Sequence, residues 1–136
     1  MSAAILAAAQ ARLATALPGW IDETDTPHPT PEDALPAFSV ALSVTSSEKV
    51  SMGDPRHFRE GQLEIILRTA ARATRFGGAQ GIHAEASTAD AAILADPPCL
   101  DGTLWDIDPE GFEAEHDAGE KRISQGSLIF TIQYIE

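Results

Sequence analysis

Phe38, Val40, Leu42 and Val44 alternate with Ser39, Ala41, Ser43 and Thr45. A period of two marks a half-buried strand, here with its even positions turned inward. Leu63, Ile65 and Leu67 repeat the alternation, with Ile66 adding apolar surface to the other face. This strand is expected to run to about Ala71, although Arg68, Arg72 and Arg75 also fit a helical face. Leu128, Phe130, Ile132 and Tyr134 form a closing strand. Trp20 and Ile21 read as the start of a short strand, and Leu104 to Ile107 as another.

Two stretches have helical spacing instead. From Ser2, a plausible N-cap, to about Leu17, the residues Leu6, Ala9, Leu13 and Leu17 form one apolar stripe. Alanines around it raise helix propensity and allow close packing on a sheet. Pro18-Gly19 ends this helix. Ile82, Ala86, Ala89 and Ile93 recur at intervals of four, three and four, giving a second helix between Gly77-Gly78 and Pro97-Pro98. Asp22 to Pro36 holds four prolines and reads as a loop. Ser46 to Phe58 is polar and reads as a long connection between antiparallel strands. Asp108 to Lys121 is acidic and reads as a loop or bent edge hairpin. The resulting fold class is α+β: a mostly antiparallel sheet of four to five strands packed against two helices, as a single domain over residues 1–136.

Length and composition are ordinary for one globular domain, but the net charge of -12 is not. Nucleic-acid affinity rests largely on Lys and Arg neutralising phosphates, so a sequence reader of DNA or RNA is excluded as the leading class. Cys99 is the only cysteine and can form no internal disulfide, which suits a reducing compartment. The apolar start lacks a basic n-region and reads as a helix rather than a signal peptide. No run approaches the roughly 18–20 apolar residues that span a bilayer.

Little in the chain points to chemistry. His28, His57, His83 and His116 are scattered, with no H-x-x-x-H, H-E-x-x-H or C-x-x-C. Glu113, Glu115, His116 and Asp117 form a cation-site candidate, weighed against a plain solvated acidic loop. Gly77-Gly78-Ala79-Gln80-Gly81 precedes a helix, but no Lys-Ser/Thr follows, so a turn explains it better than a phosphate cradle. No catalytic residue, metal or cofactor is assigned, and the expectation is a protein that is not an enzyme.

Charge is unevenly distributed. Arg56, Arg59, Arg68, Arg72 and Arg75 are five of the nine basic residues, whereas residues 76–120 hold eleven Asp and Glu and no Lys or Arg. Internal pairing or solvation is one account. The other is heterologous self-association, a positive face on one subunit against a negative face on the next, which closes into rings.

The sequence resembles the tail terminator family of long-tailed phages, to which lambda minor tail protein U and related proteins of prophages and gene transfer agents belong. Leu35-Pro-Ala-Phe-Ser-Val40, Leu63-Glu-Ile-Ile-Leu-Arg68, Ile82 to Leu94 and Leu128 to Tyr134 carry the resemblance. It covers nearly the whole chain as a pattern of elements and lengths, not as a strict signature. The resemblance implies a structural protein of the virion or virus-like particle tail, assembled in the bacterial cytoplasm. It implies a hexameric ring on the head-proximal end of the tail tube that stops tube polymerisation and offers a head-joining surface. Its partners would be further copies, the tail tube protein and a head-completion or neck protein. DNA would pass through the lumen without sequence-specific binding, and no membrane is involved.

By position, the candidate interface residues are Lys49, Met52, Arg56, Arg59, Arg68 and Arg72, with Asp106, Asp108, Glu113 and Glu115 on the acidic stretch. The competing readings are another neck or tail-completion ring protein, head-closure or tube-like, and a small acidic metal-binding domain.

Overall fold

The computed structural model describes residues 2–24, 36–70, 78–95, 98–116 and 123–136. Helix α1 is Ser2–Ala16, α2 is Gly78–Ile93 and the short α3 is Pro98–Gly102. The strands are β1 (Ile21–Asp22), β2 (Ala37–Lys49), β3 (His57–Ala70), β4 (Asp106–His116) and β5 (Ile123–Ile135). They form one sheet in the order β1-β2-β3-β5-β4, antiparallel except for β1 beside β2. The architecture is the α+β arrangement expected from the alternation.

The core lies between one face of the sheet and the helices. Even positions of β2 and β5 and odd positions of β3 supply Phe38, Val40, Leu63, Ile65, Leu67, Leu128, Phe130, Ile132 and Tyr134, all buried. All three helices bury their apolar residues in this same cluster. On α1 the buried row is Ile5, Ala9, Leu13 and, just past the helix end, Leu17. The expected stripe had Leu6 in place of Ile5; Leu6 is only half-buried, because the i, i+4 row through Ile5 and Ala9 points at the sheet. Leu17-Pro18-Gly19-Trp20 then reverses the chain. Trp20 N–H donates to Leu17 C=O at 3.2 Å and Gly19 has φ +85°, the positive φ that a type II turn requires.

One expectation needs correction. Ser46 to Phe58 is not all connection: β2 runs to Lys49 and β3 begins at His57, so only residues 50–56 link them. The acidic stretch takes the bent-edge alternative rather than the loop: it holds an edge strand, β4, antiparallel to β5, with a register shift between Pro109 and Gly111. Bulges and prolines belong on such edges, where a missing N–H costs no ladder bond. The α3 turn was not anticipated, and Cys99 and Leu100 there have φ of 55° and 47°. The Pro-rich residues 25–35, and Arg72, Arg75, Asp117 and Glu120, lie outside the described residues.

Candidate functional site

The sheet's second face carries none of the described helices. Register places Glu48, Glu60, Glu64, Asp106, Asp108 and Glu113 on it, among Gln62, Gln125, Thr131 and Gln133. Glu110, the extra residue at the β4 bulge, joins them, since its carboxylate accepts hydrogen bonds from Gln62 Nε2 and Thr131 Oγ1, both at 3.1 Å. One described cation shares the face, Arg68, and it is engaged within the chain. Its Nη1 lies 3.0 Å from Glu23 Oε2, with side chains only 16% and 8% exposed. The result is a broad acidic, hydrogen-bonding surface.

The other described arginines are also engaged internally. Arg56 pairs with Asp54 at 2.8 Å, and Arg59 Nε lies 3.2 Å from Glu136 Oε2 at an angle that falls short of a hydrogen bond. Arg12 reaches the end of α2, donating to the carbonyls of Ala92, Ile93 and Ala95 at 3.2, 3.1 and 2.6 Å. Helix C-terminal carbonyls lack intrahelical partners, and a cation there also complements the helix dipole. Of the two accounts of charge, internal pairing therefore describes Arg56, Arg59 and Arg68.

The β2–β3 turn is built differently. Asp54 N–H donates to Ser51 C=O at 3.2 Å around Gly53, whose φ is +84°. Asp54 accepts from the main chain and the guanidinium of Arg56, which holds its carboxyl well below the usual range, at about 2. Val50 N–H donates to Arg56 C=O and closes the base. At the apex of this bonded turn Met52 is 100% exposed, and Val50 beside it is exposed as well. Lys49 is the last residue of β2, exposed and paired in register with His57.

At the opposite edge, α2 and β4 enclose a groove of about 360 Å³ over Ala86, Phe112, Leu128 and Phe130, with Asp90 and Glu110 also lining it. Sequence reasoning missed this groove, and it missed Trp105. That side chain is 64% exposed and meets Phe58 edge to face, centroids 5.4 Å apart at 84°. No alternation marks Trp105, because it stands in the bend before β4.

Among the described residues no group of three or more His, Cys, Asp or Glu is placed to hold a metal ion, and no helix is long and apolar enough to cross a membrane. The site candidates are thus surfaces: an acidic sheet face, the exposed turn at the end of β2 and β3, and a groove of mixed polar and apolar lining beside β4. Together with the helix-backed sheet they define the exposed features of a small α+β domain.

No family model and no curated protein matches the chain. Among solved structures, a chain from the virion of a native gene transfer agent (GTA) particle shares the fold, with a TM-score of 0.68 and 16% sequence identity. The match covers 96% of this chain and 94% of that one.

Proposed function

We propose that the protein is a structural subunit of a phage-like particle, and within it the tail terminator. Copies would form a hexameric ring on the head-proximal end of the tail tube, end its growth and offer the surface that joins the head. The observation that carries this reading is the fold shared end to end with a chain of the gene transfer agent particle. The order of elements in the sequence supports the finer assignment.

The acidic sheet face supports a second part of the reading, that this face lines the DNA passage. Carboxylates repel phosphates and the face offers them no free described cation, so DNA would slide past without a salt-labile hold. The interface residues Arg72 and Glu115 remain part of this proposal, together with Lys49, Met52, Arg56, Arg59, Asp106, Asp108 and Glu113. Arg68 enters it only through its internal pair with Glu23, which positions the start of β2.

The decisive experiment adds the purified protein to polymerising tail-tube protein of the same particle and images the tubes by negative stain. The expected result is a ring at one end of each tube and arrest of elongation. Tubes that keep growing with bare ends would overturn the terminator assignment. Filaments of the protein alone would replace it with a tube-like role.

A further inference from the structure

At the end of the sheet where β2 turns into β3, the acidic face changes character. Register sets Glu48, Phe58 and Ile135 side by side across β2, β3 and β5. The neighbouring row on the same face, about 7 Å along the strands, is Glu60, Gln133 and Asp106. Trp105, just before β4, meets Phe58 edge to face. We propose that this patch is a docking site for an arginine, flanked by apolar residues, on a neighbouring protein. Its guanidinium would stack on Trp105 and pair with the surrounding carboxylates. The site stands apart from ring closure and tube capping, and needs neither.

Three features define it. The first is apolar surface outside the core. Phe58, Ile135 and Trp105 all lie beyond the buried cluster, and Trp105 is 64% exposed. In an edge-to-face pair one ring offers its edge to the other's face. Whichever part Trp105 takes, at least one face of its indole stays clear of that contact. The second feature is fixed geometry. Trp105 N–H donates to Gln133 C=O at 2.7 Å, and Cys99 Sγ donates to Trp105 C=O at 3.5 Å. A side chain carried on anchored backbone loses less freedom on binding. The third is unanswered charge. Among the described residues Glu48, Glu60 and Asp106 take part in no ion pair. Lys49, His57 and Arg59 are their neighbours in sequence but alternate to the other face, and Arg56 is held by Asp54.

Charge and shape together choose the occupant. The carboxylates repel DNA phosphates, and they repel the acidic face of a second copy. An indole face attracts a cation, and does so better than the rings of Phe or Tyr. Arginine answers all three features. Its planar guanidinium stacks on aromatic faces and pairs bidentately with carboxylates, while its aliphatic stem covers apolar surface such as Phe58 and Ile135.

The test titrates the isotope-labelled full-length protein with the peptide acetyl-valyl-arginyl-valine amide at low salt. A parallel titration uses the same peptide with citrulline, the uncharged isostere, in place of arginine. Binding is read by NMR on the Trp105 indole N–H and the Ile135 amide, with the Trp20 indole as internal reference. The arginine peptide should move both signals saturably, and the citrulline peptide should bind about twofold to thirtyfold more weakly. Trp105→Ala, followed on Ile135, should weaken binding by a similar factor, and so should Glu48→Gln combined with Asp106→Asn. Glu64→Gln combined with Glu113→Gln removes the same charge elsewhere on the face and should leave binding unchanged. Signals that stay still at millimolar peptide, equal binding of the two peptides, or equal weakening by the two double variants would each overturn the site. Movement of the same signals with protein concentration alone would also overturn it, by giving the patch to a second copy.

Discussion

Gly61 sits where the sheet leaves no room for a side chain. It is buried in β3 opposite Val44, beside the register shift between Val44 and Ser46. A Cβ placed there overlaps the Ser43 carbonyl oxygen and stands 3.2 Å from that carbonyl carbon and 3.3 Å from Val44 Cα. All three are backbone atoms, so no side-chain rotation relieves the overlap, and Gly61→Ala must push β2 away from β3 at the bulge. Overpacking of this kind costs about 3 kcal/mol at the upper end of its usual range. The reduced freedom of the unfolded chain offsets about 0.4–1 kcal/mol of that. A net loss of about 2 kcal/mol should lower Tm by roughly 8 °C in a domain of this length. Gly111 supplies the control: it too is a strand residue beside a bulge, but a Cβ there meets nothing within 4 Å. Gly111→Ala should melt at or slightly above the wild type. Calorimetry on both variants decides the matter; if the two melt within about 2 °C of each other, close backbone approach is not why residue 61 is glycine.

Arg68→Glu would set a second carboxylate against Glu23 in a site where both side chains are largely covered. Breaking a buried pair this way costs about 3–5 kcal/mol, so soluble folded protein at 37 °C should be lost, whereas a surface contact role would leave the monomer folded. Arg12→Ala removes the Nη1 donor shared among three carbonyls at the end of α2 and should cost about 1–2 kcal/mol in urea unfolding with an unchanged m value. The Asp54 carboxyl, depressed from 3.8 to about 2 by Arg56, should titrate near 2 by NMR. Because the folded pKa is the lower one, its contribution is present above about pH 4 and fades as pH falls through 2, and Arg56→Gln should return the midpoint toward 3.8. If the acidic face lines the passage, Glu64→Lys with Asp108→Lys should leave the ring intact and make it retain short duplex DNA at low salt, with retention lost as salt rises; a doubly substituted ring that binds no DNA refutes that placement.

What the sequence disclosed tracks how strongly one face of each element is buried. The alternation at Phe38 to Leu42, Leu63 to Leu67 and Leu128 to Tyr134 survived intact, because those residues face the core and most positions between them, Ile66 and Ile129 apart, are polar or small. Beyond Val44 the same strand continues, yet its residues 45–49 are exposed on both faces, so pairing there rests on backbone bonds that leave no hydrophobic signature. Thr45 shows how the bulge is accommodated, its hydroxyl donating to Glu60 C=O at 3.0 Å. β4 was legible only as one of two alternatives, for a related reason. Pro109, Gly111 and a run of carboxylates mark a loop by composition, but at an edge they mark a strand protected from stray pairing. Ile107 and Phe112 pack against the core, and the bulge between them breaks the period of two. The α2–β4 groove was beyond reach from sequence, since its floor comes from three elements whose order in space, with β5 inserted before β4, no local pattern encodes.

The charge segregation was legible as a count and misleading as a map. Arg56, Arg59 and Arg68 fall close together in sequence, but Arg59 and Arg68 are nine positions apart on β3 and so point to opposite faces, and each is drawn to a different acid, Glu136 and Glu23. Pairing them inside the chain leaves the carboxylates of β4 and the outer face of β3 without a compensating set of cations among the described residues. Among the described residues, the carboxylates of that face therefore form a concentrated acidic surface. A surface of that kind repels its own copies as well as DNA, which works against any assembly that stacks sheet face on sheet face. Association through the sheet edges would avoid this cost, because it would keep the acidic faces from meeting one another.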